Sequence, residues 1–126
     1  KQGKNYFDAD SAKIQEVYHY SLKDSSLQGP YESFYLNGSL KTYGWYKKDK
    51  ADSVWNYYYE NGRKKAEGRF KKGVPNGKWK YFYENGNIKS EGILNGNSKE
   101  GLWKFYYETG GEKSNGNYKK DLQRRA

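Results

Sequence analysis

The sequence predicts an all-β protein: an elongated, single antiparallel meander of stacked β-hairpin repeats forming a twisted, curved open sheet. Three observations carry this. Residue columns recur at a step of 24 through four copies: Gly38, Gly62, Gly86 and Gly110; Gly44, Gly68, Gly92 and Gly116; Lys41, Lys65, Lys89 and Lys113; Tyr35, Tyr59, Tyr83 and Tyr107. Each copy has an aromatic β-type run, a turn signal and a second run, as in Trp79-Lys80-Tyr81-Phe82-Tyr83, then Glu84-Asn85-Gly86-Asn87, then Ile88-Lys89-Ser90-Glu91-Gly92. The third is composition: 19% of residues are aromatic in a chain that is only 33% hydrophobic. Tyr and Trp carry large apolar area behind a polar tip, so a core can be built from them at low mean hydropathy. Fixed-period self-similarity marks a repeat architecture.

The elements follow in chain order. Residues 1–28 are expected to form a degenerate N-terminal capping repeat, since terminal repeats are usually atypical. Tyr6-Phe7-Asp8 followed by Lys13-Ile14-Gln15-Glu16 imitates Tyr58-Tyr59-Glu60 and Lys65-Ala66-Glu67-Gly68. The competing expectation is a short helix from Ser11 with Ile14, Val17 and Tyr18 on one face. Repeats 1 to 4 are assigned to residues 29–52, 53–76, 77–100 and 101–122, leaving 123–126 as a frayed tail.

Within a repeat, Asn37-Gly38, Asn61-Gly62 and Asn85-Gly86 predict two-residue type I′ turns, which need positive φ at both central residues. Thr109-Gly110-Gly111 departs from the pattern and predicts a looser or longer last turn. A two-residue loop at Asn61-Gly62 places Trp55 opposite Gly68, Tyr57 opposite Ala66 and Tyr58 opposite Lys65. The ring column Tyr31, Trp55, Trp79 and Trp103 thus faces a glycine in its own hairpin, a bare strand position across which a large ring can lie. The same register sets Phe34, Tyr58, Phe82 and Tyr106 against Lys41, Lys65, Lys89 and Lys113 on the opposite, solvent face. Lys stems can cover such rings with a cation–π contribution of ~0.5–1 kcal/mol. Trp55, Tyr57 and Tyr59, with Phe70 further along, mark the buried or concave face. Between units, Asp49, Gly73, Asn97 and Asp121 share a column suited to tight turns.

Composition excludes several function classes. No cysteine is present, which removes disulfides, Cys-ligated zinc and thiol nucleophiles. The single histidine, His19, has only Asp24 as an obvious acidic partner and is expected to lie partly exposed in an irregular segment. Glu60, Glu84 and Glu108 recur at the turn entrance, but equivalent positions two strands apart lie ~10 Å from each other. They fit turn-flanking charges better than a glycosidase pair. No glycine belongs to a phosphate-binding loop. No apolar run approaches the ~20 residues needed to cross a bilayer as a helix. A net charge of +9 favours anionic partners, yet the lysines are spread through every unit and interleaved with Glu. Nucleic acid is therefore not the expected partner.

The pattern G-x-W-x-x-Y-Y-x-N-G-x-x-K-x-x-G, matched from Gly77 to Gly92, resembles the MORN-repeat variant family of bacterial proteins, whose members include YwqK-type antitoxins. The likeness extends over residues 29–121, with Tyr31 in place of Trp and Ser53 in place of Gly as departures. The resemblance implies stacked hairpins and no catalytic residues.

The expected function is a non-enzymatic protein-interaction or scaffold module without cofactor or metal. Its candidate binding surface is Tyr57, Tyr59, Tyr81, Tyr83, Phe105 and Tyr107 with Lys65, Lys89 and Lys113. Alternatives are antitoxin-like sequestration of a toxin protein, or attachment to an anionic membrane or glycan. Open edge strands make an end-to-end homodimer a further expectation. A chain without an initiator Met fits an exported periplasmic or cell-surface protein with its signal removed, which is slightly favoured over a trimmed cytoplasmic one.

Overall fold

The computed structural model describes residues 1–7, 10–119 and 122–124. They form one sheet of eleven antiparallel strands in which every strand pairs with its sequence neighbours. The first two are β1 (Gln2–Phe7) and β2 (Asp10–His19). Then come β3 (Gly29–Phe34), β4 (Leu40–Lys47), β5 (Lys50–Tyr58) and β6 (Lys64–Lys71). The rest are β7 (Val74–Phe82), β8 (Ile88–Asn95), β9 (Ser98–Tyr106), β10 (Glu112–Lys119) and β11 (Leu122–Arg124). This is the predicted open meander.

The N-terminal segment resolves in favour of a hairpin. Residues from Ser11 onward lie in β2, which pairs with β1 through Lys4↔Val17 and Gly3↔Tyr18, so no helix forms there. His19 ends that strand half-buried, not in an irregular segment, and its Nδ1 lies 3.0 Å from the Pro30 carbonyl oxygen. Asp24 is occupied locally: its Oδ1 accepts from the Ser26 amide at 3.0 Å and the Ser26 hydroxyl at 2.7 Å. At the other end, Gln123 and Arg124, expected to fray, pair with Tyr118 and Asn117. Asp121, Arg125 and Ala126 lie outside the described residues, as does Asp8.

The Asn-Gly turns are not type I′. Gly62 N–H donates to the Tyr59 carbonyl at 2.9 Å and Tyr59 N–H to the Arg63 carbonyl at 2.8 Å, so the loop holds three residues, Glu60, Asn61 and Gly62. Of these, Gly62 alone has positive φ, at 88°. This is a type I turn closed by a glycine in the left-handed region. Asn61 instead caps the loop, its Oδ1 accepting from the Arg63 amide at 2.9 Å. The Thr109 turn has the same two bonds, Gly110 N–H to Tyr107 and Tyr107 N–H to Gly111, and is not looser than the others. Only its glycine needs positive φ, so threonine in the preceding place costs little.

The longer loop shifts the register by one residue, and a bulge at Lys65 shifts it back. Tyr58 pairs with Lys64, whereas Tyr57 pairs with Ala66 and Trp55 with Gly68 as expected. The two shifts cancel, which is why the distal pairs follow the sequence expectation and Tyr58↔Lys65 does not.

The core is a ladder of rings on one face of a single layer. Trp55, Trp79 and Trp103 are 4%, 5% and 1% exposed, although the sheet has no second layer among the described residues. Each ring lies over the glycine of the preceding hairpin, not of its own. A Cβ on Gly44 would stand 2.0 Å from Trp55, one on Gly68 1.9 Å from Trp79, and one on Gly92 2.3 Å from Trp103. The ring leans this way because of an irregularity two residues before it. Ser53, Gly77 and Gly101 have φ of 62°, 126° and 70°, and the pairing between units shifts beside them. The shift also frees a carbonyl to accept the indole N–H: Trp79 Nε1 donates to Arg69 O at 3.1 Å and Trp103 Nε1 to Ile93 O at 2.8 Å. A buried donor is thereby satisfied.

The first rung of the ladder is different. Tyr31 stands in the tryptophan column, while Glu16 pairs with Ser33 and so takes the place that Ala66 holds opposite Tyr81; the Tyr31 hydroxyl donates to the Glu16 carboxylate. Burial, then this bond, raises the Tyr31 pKa.

Candidate interaction surface

Along the turn edge of the sheet, Tyr35, Tyr59, Tyr83 and Tyr107 stand in one column. The first three stitch each unit to the next. Tyr35, Tyr59 and Tyr83 hydroxyls donate to the carbonyls of Tyr58, Phe82 and Tyr106, each at 2.6 Å. Beside them, Asn61 Nδ2 donates to the Glu84 carbonyl at 3.2 Å and Asn85 Nδ2 to the Glu108 carbonyl at 2.8 Å. The recurring glutamates thus serve the turn edge through their backbone oxygens. No group of three or more His, Asp or Glu able to hold a metal ion occurs among the described residues.

The lysine column falls on this same face, a correction to the register expectation. The bulge turns Lys65 away from Tyr58, and its Nζ lies 5.7 Å from the centre of the Tyr59 ring. The pattern repeats for Lys41 over Tyr35 at 5.5 Å, Lys89 over Tyr83 at 5.7 Å and Lys113 over Tyr107 at 5.9 Å. Opposite Tyr58 and Phe82 stand Lys64 and Ile88 instead.

Next to this lysine–tyrosine strip lies the second aromatic column. Tyr57 stacks between Trp55 and Trp79 with centroids 6.5 Å from each, Tyr81 stacks on Trp79 at 6.2 Å, and Phe105 on Trp103 at 6.4 Å. All three are half-buried, so they are part of the core on one side and surface on the other. Burial, then the neighbouring Tyr46 and Tyr81, pushes the Tyr57 pKa up to about 12. Burial raises Tyr81 as well, and burial with the charge of Glu84 raises Tyr59. At neutral pH these phenols are hydrogen-bond donors and not bases.

The nine residues expected as a surface therefore share one face. Tyr57, Tyr81 and Lys65 line a groove of about 320 Å³ together with Trp79. Tyr59, Tyr83 and Tyr107 with their lysines flank it toward the turns; Tyr107, at 53% exposure, is the most open of the three tyrosines. Tyr35 and Lys41 line the groove too and were not on the candidate surface. Their signal was available, because they belong to the same two columns one period earlier.

The family description "MORN repeat variant" matches residues 75–94 and 99–120, two adjacent hairpins of the array. Repeats of this kind are commonly associated with protein or membrane binding and are generally non-catalytic. No match to this chain was found among curated proteins.

Proposed function

With MORN-variant repeats as the premise, we propose that this chain is a non-catalytic protein-interaction module that binds through the turn-side strip of lysines laid over tyrosines. One observation supports this reading most: the Lys-over-Tyr contact recurs in all four units beside a groove lined by half-buried rings. Tyr is favoured at interfaces because it offers rigid amphipathic area at low entropic cost. Lysine stems over the rings extend the apolar area while the ammonium groups stay wet.

The test is capture of binding proteins with wild type and with a Lys65→Glu, Lys89→Glu, Lys113→Glu variant. The three lysines are exposed, so the fold is expected to persist in circular dichroism. A protein enriched by wild type and lost from the variant supports the proposal. Equal recovery by both sinks it, and loss confined to anionic vesicles added in parallel would transfer the strip to membrane attachment.

A further inference from the structure

The opposite edge of the sheet holds a second feature. There the turn joining β4 to β5 and the turn joining β6 to β7 lie side by side, about 10 Å apart at two strand spacings. Their side chains line a recess of about 790 Å³ containing Lys47, Lys48, Lys50, Arg69, Lys71 and Lys72. All six are exposed, and among the described residues none is in an ion pair. Asp52 is the one carboxylate in the lining, set against six cations, and it accepts from the Ser53 hydroxyl at 3.2 Å and the Lys72 amide at 3.5 Å. Asp49 Oδ1 accepts from the Leu27 amide at 2.6 Å. The even scatter of lysine along the sequence thus becomes a local cluster once the repeat places two turns next to each other.

Two details set this cluster apart from an ordinary solvated edge. Lys48 and Lys72 occupy the left-handed region, with φ of 48° and 52°, where the equivalent position in the next unit is Gly96. A lysine there is conformationally costly compared with glycine, and such outliers concentrate where a side chain is used. The recess also has an apolar lining: Phe70 forms part of it, and that ring packs edge-on against Trp55 and Trp79 at 5.9 and 5.2 Å.

We propose that this recess is a binding site for an acidic peptide segment of the pattern acidic–x–apolar–x–acidic. In an extended peptide alternate side chains share a side, so the two acids stand about 13 Å apart with the apolar residue between them. The two lysine-bearing turns receive the acids and Phe70 receives the apolar side chain. A bare polyphosphate or the backbone of a nucleic-acid duplex would use the cations and leave Phe70 idle. The site rests on the reading of the chain as a protein-binding module, but at the other edge of the sheet from the strip.

The test is fluorescence anisotropy of a labelled Glu-Asp-Ser-Phe-Ser-Asp-Glu peptide titrated with the full chain. Binding is expected, weakening at least tenfold with Lys48→Gln, Lys71→Gln, Lys72→Gln, and staying unchanged with the turn-side variant Lys65→Glu, Lys89→Glu, Lys113→Glu. A peptide with Ser in place of Phe is expected to bind several-fold more weakly. No binding, binding indifferent to the recess variant, or equal binding of the Ser peptide overturns the proposal. So does tighter binding of tripolyphosphate or a single-stranded oligonucleotide. Failure of this site with success of the strip capture, or the reverse, tells the two apart.

Discussion

Gly68→Ala adds one methyl group to an extended strand, yet it is expected to be among the most damaging single changes to the array. The new Cβ would stand 1.9 Å from Trp79 Cδ2, and 2.1 and 2.3 Å from two further ring atoms. A fused ring has no small adjustment that clears three such contacts, so Trp79 must leave its place. That exposes a side chain now only 5% exposed and breaks its bond to the Arg69 carbonyl. Large-to-small changes at buried aromatics cost about 3–5 kcal/mol, and displacing the ring is comparable. The assay is a double-mutant cycle in urea followed by circular dichroism, using Gly68→Ala, Trp79→Ala and both together. If the ring is what forbids the methyl, Gly68→Ala costs under about 1 kcal/mol once Trp79 is gone, a coupling of at least about 2 kcal/mol between two residues. Gly62→Ala is the control: φ is 88° and nothing lies within 4 Å, so its cost is backbone strain alone, about 1–2 kcal/mol. Additive costs in the cycle would refute the glycine platform.

Two further predictions follow from the same geometry. Ser53 stands at φ 62° in a column where Gly77 and Gly101 take positive φ, so Ser53→Gly is expected to raise stability by about 1 kcal/mol, visible as a higher urea midpoint with unchanged slope. At alkaline pH, Tyr57 and Tyr106 ionise only near 12, the first through burial and the second through its hydrogen bond to Glu91. A tyrosine in the unfolded chain ionises near 10. The raised folded value means the stability these groups contribute is complete below about pH 10 and lost as pH rises through 12. Phenolate absorbance should therefore show a late-titrating class that disappears with the fold; uniform ionisation near 10 in a folded protein would contradict it.

Much of this fold was legible in the sequence because the 24-residue period fixes which residues share a column, whatever the loop type. The pairs Trp55↔Gly68 and Tyr57↔Ala66 match the two-residue-loop expectation although the loop is longer, because the bulge at Lys65 cancels its extra residue. Turn type was not legible. Asn-Gly suits a two-residue loop, but Asn61 gains more by capping a three-residue loop and reaching the next unit's Glu84 carbonyl, an interaction that exists only once hairpins stack. Two-residue turns with consecutive positive φ do occur, at Lys48-Asp49 on the other edge, where no Asn-Gly marks them. For the same reason the strip was half legible. The columns of Tyr and Lys could be read off the sequence, but the bulge that brings Lys65 over Tyr59 could not. The direction in which each tryptophan leans depends on backbone irregularity at Ser53, Gly77 and Gly101, for which the sequence offered only a glycine column.

The most direct test of the strip as a binding surface is site-specific photo-crosslinking in cells of the native organism. p-Benzoylphenylalanine would be placed at Lys89, beside Tyr83 on the strip, and in a second protein at Leu102, exposed on the opposite face next to buried Trp103. A discrete crosslinked protein from the Lys89 position and none from Leu102 is the predicted result. Crosslinking from Leu102 with none from Lys89 would place the interaction on the other face and contradict it.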